Sequence, residues 1–210
     1  MLNRTIYIAG PDGIGKTMYI NYVADTFAAK KTKRIWIRSP KITSKPLMLY
    51  CRLIGLTEYK VIDNVEYGVH NFYKSALVSL LFPFLQLVDF RIKWVLEKMR
   101  IGSDEIILFD RFSLDTLADL MVDTRKLDLH KSWLGRQFIK MVPVNSQVFI
   151  LKVNEEVIRE RKQDTLHDKN LALKIEVYRI LSRDIGIKLV DNNGSIDLVK
   201  KELISHIKNE

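Results

Sequence analysis

Gly10-Pro11-Asp12-Gly13-Ile14-Gly15-Lys16-Thr17 fills every fixed position of the pattern G-x-x-x-x-G-K-[ST]. Its glycines let the backbone curl so that successive N–H groups face a polyphosphate, reinforced by the N-terminus of the next helix. In such a loop Lys16 reaches the β- and γ-phosphates and the Thr17 hydroxyl ligates magnesium, while Gly10, Asp12, Gly13, Ile14 and Gly15 line the cradle. The flanks separate this reading from an accidental glycine-rich turn. Residues 4–9 (Arg-Thr-Ile-Tyr-Ile-Ala) have the apolar run of a buried strand. From Lys16 onward Met18, Ile20, Tyr22, Val23 and Phe27 suit a helix packed on a sheet, reaching to about residue 30. Strand, loop and helix together imply ATP and Mg2+ as ligands.

A second signal lies at Asp110. Residues 105–109 (Glu-Ile-Ile-Leu-Phe) read as a continuous strand running into this carboxylate. An acid there stands at the carboxyl edge of the sheet, where open α/β folds bind ligands. It can orient magnesium, directly or through water, or it can cap the helix predicted over residues 113–122. Both readings stay open at this stage.

The remaining elements alternate in type. Residues 34–38, with Ile35, Trp36 and Ile37, form a second short strand that Pro40 stops. A helical region over 74–100 is expected to break near Pro83. Strands follow at 147–153 and 187–190, with a charged helix from Glu155 and an amphipathic helix over 195–208. Residues 41–75 are the least readable part, with mixed polarity, Gly55 and Gly68. The alternation predicts an α/β fold: a three-layer P-loop sandwich whose parallel sheet of about five strands is flanked by helices in one domain spanning residues 1–210.

Composition narrows the classes. Hydrophobic residues at 47% and charged residues at 28% suit a folded domain rather than a disordered chain. The longest apolar stretch, residues 76–88, falls short of a membrane span and contains Pro83. With no signal-peptide pattern at the N-terminus and a single Cys51, the expected location is the cytoplasm. His70, His130, His167 and His206 lack metal-ligand spacing, so no structural zinc is expected. The net charge of +9 attracts polyanions, but the basic residues are scattered and match no nucleic-acid-reading motif. Nucleic acid is therefore the less favoured partner.

These residues resemble the thymidylate kinase family of nucleoside monophosphate kinases. Asp12-Gly13 matches its G-x-D-G-x-G-K-T form of the loop, Arg38-Ser39-Pro40 its Arg-Glu-Pro, and Asp110-Arg111-Phe112 its Asp-Arg-Tyr. Asp89-x-Arg91 is similar to its acceptor-binding Asp-Arg, with one extra residue between. The resemblance implies an acceptor-binding region over about 38–100 and a LID segment over about 154–172. It also implies that Asp12 lies near the acceptor sugar and that Arg38, Arg91 and Arg111 hold the acceptor phosphate. Ile14 stands where some members carry an arginine, so Arg159, Arg161 and Lys162 become the LID's candidate cations; a solvated helix face is the alternative. A homodimer is implied by the same kinship. Three positions depart from the pattern: Ser39 replaces a glutamate, Asp119 a tyrosine close to the acceptor base, and Leu87 a base-stacking phenylalanine, for which Phe82, Phe84 or Phe90 are possible substitutes.

The expectation is ATP-dependent phosphorylation of a nucleoside monophosphate, thymidylate first. The rival is a kinase of a nucleoside or other small metabolite, which would use Asp12 or Asp110 as a base. A nucleotide-driven switch and a nucleic-acid-binding module stand further off.

Overall fold

The structure, a computed structural model, describes residues 4–28, 30–62, 65–161 and 168–208. Its centre is strand β1 (Thr5–Ala9), buried at every position. The chain then forms helix α1 (Lys16–Thr26), strand β2 (Thr32–Ile35), helix α2 (Lys45–Leu53) and a hairpin of β3 (Thr57–Ile62) with β4 (Val65–His70). Next come α3 (Ala76–Lys98), β5 (Ile106–Asp110), α4 (Ser113–Thr124), α5 (Trp133–Ile139) and β6 (Ser146–Lys152). Helices α6 (Glu155–Arg161) and α7 (Leu171–Ile185), strand β7 (Lys188–Asp191) and α8 (Ile196–Lys208) complete it.

Five strands form one sheet in the order β2-β5-β1-β6-β7, every pair parallel. The order reverses around β1, which opens a crevice at the carboxyl ends of β1 and β5. Register sets Ile8 opposite Asp110, so the loop after β1 and the acid ending β5 emerge side by side.

Alternation along the strands divides the core in two. Tyr7, Ala9, Ile107, Phe109 and Ile150 face one way, onto Leu87, Phe90, Leu117, Phe138 and Leu181. Ile6, Ile8, Leu108, Phe149 and Leu151 face the other way, onto Tyr19, Ile20, Val23, Val199 and Leu203. Helices thus cover both faces of the parallel sheet, as the alternating elements predict.

Three expectations need correction. Helix α3 runs unbroken through Pro83. The proline denies its N–H to the carbonyl of Ser79, but Lys126 Nζ donates to that oxygen at 3.3 Å and offsets the loss. Strand β2 starts and stops earlier than 34–38, and helix α1 stops at Thr26. The unread stretch 41–75 contains α2 and the antiparallel β3–β4 pair, which aligns Thr57 with His70 and Tyr59 with Gly68. Among the described residues no helix is long and apolar enough to cross a membrane.

Candidate active site

The loop after β1 depends on glycine. Gly13 and Gly15 have φ of +84° and +91°, where a side chain is strained, and Gly15 leads directly into α1. Lys16 is only 5% exposed. Its ammonium folds back over the loop and donates to the carbonyls of Gly10 and, at 2.7 Å, Pro11. Burial lowers its pKa to about 8, opposed chiefly by the nearby Asp115 carboxylate. Both carbonyl contacts are ones a phosphate oxygen could replace.

Thr17 Oγ1 donates to Asp110 Oδ2 at 3.4 Å, so the hydroxyl of the loop and the acid of β5 form one pair of oxygens. Asp110 is 4% exposed. A hydroxyl beside a carboxylate, with open coordination left for phosphate oxygens, is the donor set that Mg2+ takes. Among the described residues no cluster of three metal-ligating side chains occurs. The Arg34 guanidinium also pairs with Asp110 and reaches Thr17 at 3.4 Å. Sequence reasoning missed this arginine. The signal was its place on the strand next to β5, two positions before the register reaches Phe109's neighbour Asp110.

Asp12, inside the loop, joins two arginines. Arg38 Nη1 lies 3.0 Å from its carboxylate and Arg111 is also paired with it. Arg38 further contacts Asp119 through Nε at 3.0 Å and Nη2 at 3.4 Å. Asp119, more than burial can oppose, pushes the Arg38 pKa up. Burial alone would raise the Asp119 carboxyl, but Arg38 and Lys174 hold it below its usual range. Asp123, one turn further along α4, is pushed well above that range by burial and by Asp119. Ser39 sits at φ +39°, and its N–H donates to Thr116 Oγ1 at 3.3 Å.

Beside this cluster opens a cavity of about 870 Å³. Arg38, Ser39, Asp119 and Asp123 line it from the sheet side, Met48 and Phe82 from α2 and α3. The hairpin adds Glu58, Tyr59 and His70, and the segment before and within α7 adds Asp168, Asn170 and Lys174. These hairpin residues fall inside the region 38–100 expected to bind the acceptor, although none of them was singled out from the sequence.

The remaining candidates are distributed unequally. Arg159 lines the cavity and pairs with Glu155 at 2.6 Å, one turn back on α6. Arg161 instead donates to the carbonyl of Asn192 at 3.0 Å, beyond β7. Lys162 and the centre of the LID segment, 162–167, lie outside the described residues. Arg91 is not brought to the cavity: its guanidinium donates to Gln137 Oε1 at 2.7 Å on the exposed side of α3. Asp89 is fully buried and accepts from the N–H groups of Ile42 at 3.1 Å and Ser44 at 3.0 Å and from the hydroxyls of Thr43 and Ser44. Leu87 belongs to the core, and of Phe82, Phe84 and Phe90 it is Phe82 that lines the cavity.

No family model matches the chain. It is 25% identical to a thymidylate kinase of Legionella pneumophila (strain Corby) over 225 residues, covering 98% of both chains. Its fold is similar to that of thymidylate kinase from Candida albicans, with a TM-score of 0.59, 16% identity, and 99% and 92% of the two chains covered. It is also similar to thymidylate kinase from Ehrlichia chaffeensis, with a TM-score of 0.53, 16% identity and 98% of each chain covered.

Proposed function

We propose that this chain, a divergent relative of the thymidylate kinases in sequence and fold, transfers the γ-phosphoryl group of ATP to a nucleoside monophosphate, thymidylate being the first candidate. The observation that carries this reading is the adjacency of two sets of groups. Lys16, Thr17 and Asp110 would make the triphosphate site; Arg38 and Arg111 both pair with Asp12 of the same loop, and Arg38 also lines a cavity with room for a nucleotide.

The roles follow from charge. Lys16 would leave the carbonyls of Gly10 and Pro11 for the β- and γ-phosphates, while the loop N–H groups hold them. Thr17 and Asp110 would hold Mg2+, which supplies charge neutralisation across those phosphates. Arg38 and Arg111 would exchange Asp12 for the acceptor phosphate, placing its oxygen in line with the γ-phosphorus. Phe82 would pack on the acceptor base. A phosphate dianion needs little help from a base, so no catalytic histidine is invoked. Arg159 is the LID cation best placed to reach the transferring group, since it already faces the cavity.

One observation favours a second reading. Both arginines are already matched by carboxylates, Asp12 and Asp119, so the site carries less free positive charge than a dianionic acceptor asks for. A neutral hydroxyl acceptor, with Asp12 as base, would suit that balance. Incubation of the protein with ATP, Mg2+ and a panel of nucleosides and monophosphates decides between them. A diphosphate product supports the first reading. A monophosphate made only from a nucleoside replaces it with the second.

A homodimer is part of the same proposal. Leu77, Leu80, Leu81 and Phe84 recur along one exposed stripe of α3, a pattern a second copy of the chain would cover. Sedimentation or light scattering at micromolar concentration tests it; a monomer throughout would reject it.

A further inference from the structure

Asp115 is fully buried in the first turn of α4, five residues after Asp110, and belongs to none of the motifs described above. Its carboxylate accepts hydrogen bonds from the phenols of Tyr7 and Tyr178, each at 2.7 Å, and from the Phe112 N–H at 3.1 Å. The Gly10 N–H approaches at 3.5 Å and Arg111 Nη1 at 4.0 Å. One carboxylate thus ties together β1, the first residue of the phosphate loop, the turn after β5, and α7.

We propose, on the kinase reading above, that Asp115 is a positioning residue that holds the turn from which Arg111 reaches the phosphates. The backbone of Arg111 has φ +70°, a left-handed conformation that a residue with a Cβ adopts only under restraint. Three contacts supply that restraint. Asp115 accepts the N–H of the very next residue, Phe112. The Arg111 carbonyl accepts the Ile37 N–H at 3.0 Å, and its guanidinium meets Asp12. Of these, the Asp12 contact is the one an acceptor phosphate would displace. Asp115 remains, and keeps the turn in place while the guanidinium changes partner.

A carboxylate is more than packing asks for at this point. Filling the space between two tyrosines and a helix terminus takes any small residue, whereas burying a charge is costly unless several donors meet it. Both phenols are held well above their ordinary pKa by burial and then by Asp115, so they stay neutral donors. The charge also lies within reach of Lys16 and Arg111, and so offsets part of the repulsion among the cations gathered for two polyphosphates.

The test compares Asp115→Asn, Arg111→Ala and the double variant with the unmodified protein, whose acceptor turnover is measured first. No acceptor-dependent ADP release from the unmodified protein would sink the kinase reading itself and is thereby told apart from failure of this one. With turnover established, Asp115→Asn is expected to lower acceptor kcat/KM by about 10- to 100-fold, clearly more than it weakens binding of a fluorescent ATP analogue. In the Arg111→Ala background the same substitution should add less than about twofold, because the group it positions is gone. Unchanged kcat/KM, or a loss that persists in full without Arg111, overturns the proposal. Should Asp115→Asn not fold, Tyr178→Phe removes one donor at lower structural cost. It is expected to give a smaller loss with the same dependence on Arg111, and an additive loss would count equally against the idea.

Discussion

Arg38 and Asp119 face each other in a two-point contact, Nε to Oδ2 at 3.0 Å and Nη2 to Oδ1 at 3.4 Å, at the mouth of the cavity. In the family this chain resembles, a tyrosine is common at the position of Asp119. On the proposed reading, the Asp119 carboxylate would compete with the acceptor phosphate for Arg38. Asp119→Asn should lower the KM for a monophosphate acceptor several-fold, about 3- to 10-fold on the scale of one weakened charge pair. Arg38→Ala should raise it at least about tenfold, leaving ATP binding unchanged. If Asp119→Asn instead lowers kcat and leaves KM alone, the carboxylate takes part in the chemistry and the hydroxyl-acceptor reading gains.

Lys16 should be indispensable to turnover. Lys16→Ala is expected to cut acceptor-dependent ADP release by about 10²- to 10³-fold, the scale for loss of one charge at a transferring phosphoryl group. Burial penalises the Lys16 charge more than its surroundings repay, as its lowered pKa of about 8 shows, so the fold should survive its removal, and circular dichroism checks this.

Thr17 and Asp110 should act as one unit toward magnesium. Thr17→Val and Asp110→Asn are each expected to raise the Mg2+ concentration for half-maximal rate by about tenfold, with a double variant little worse than the weaker single one. A magnesium titration of the rate measures it. Equal magnesium dependence in all forms would remove both residues from the ion. Arg34→Ala should have the opposite sign, since it frees Asp110 of a competing cation.

Stability should fall in mild acid because of His70. Burial, joined by Lys41, lowers its pKa from 6.5 to about 4, and its ring stacks on Phe72 at 5.1 Å. The folded state thus disfavours the proton that the unfolded chain takes up. Above pH 6.5 both states carry a neutral ring and nothing is lost; between pH 6.5 and about 4 stability declines. The loss should reach at most about 3 kcal/mol. Urea midpoints at pH 7.5 and pH 4.5 measure it, and His70→Gln should flatten the difference. An unchanged slope in that variant would place the acid sensitivity elsewhere.

Lys126 should matter only because of Pro83. Lys126→Met is expected to cost about 1 kcal/mol, the net value of a hydrogen bond to a buried carbonyl. In a Pro83→Ala background, where residue 83 regains the N–H that Ser79 needs, the same change should cost nearly nothing. Thermal melts of the four proteins complete the cycle.

The donor half of the site was legible because its chemistry is local. Gly10 to Thr17 and Asp110 lie in short strand–loop–helix units whose geometry follows from neighbours in the chain. The acceptor half was less so, for the opposite reason. Phe82 rather than Leu87 faces the cavity on a helix that continues through Pro83, where a lysine 43 positions away from the proline answers the Ser79 carbonyl. Arg91 carries the right side chain at a suitable spacing, yet the helix turns it toward Gln137. Arg34, Asp115 and the hairpin residues reach the site only through pairings between distant segments. The hairpin did carry a period-2 pattern, with Thr57, Tyr59 and Val61 in one run and Val65, Tyr67 and Val69 in the next, but the charged residues between them made the stretch read as mixed polarity.

The loop after Pro40 wraps its N–H groups and hydroxyls around the Asp89 carboxylate much as a protein wraps an anion. Its guest is part of the chain, so the loop is ordered before any substrate arrives. On the proposed reading, one wall of the cavity is already tied down, and an acceptor entering it would forgo the entropic penalty of freezing that wall. Substrate selection on this side would then be governed by fit to a standing shape, and a chamber built in this way would tolerate changes of acceptor poorly.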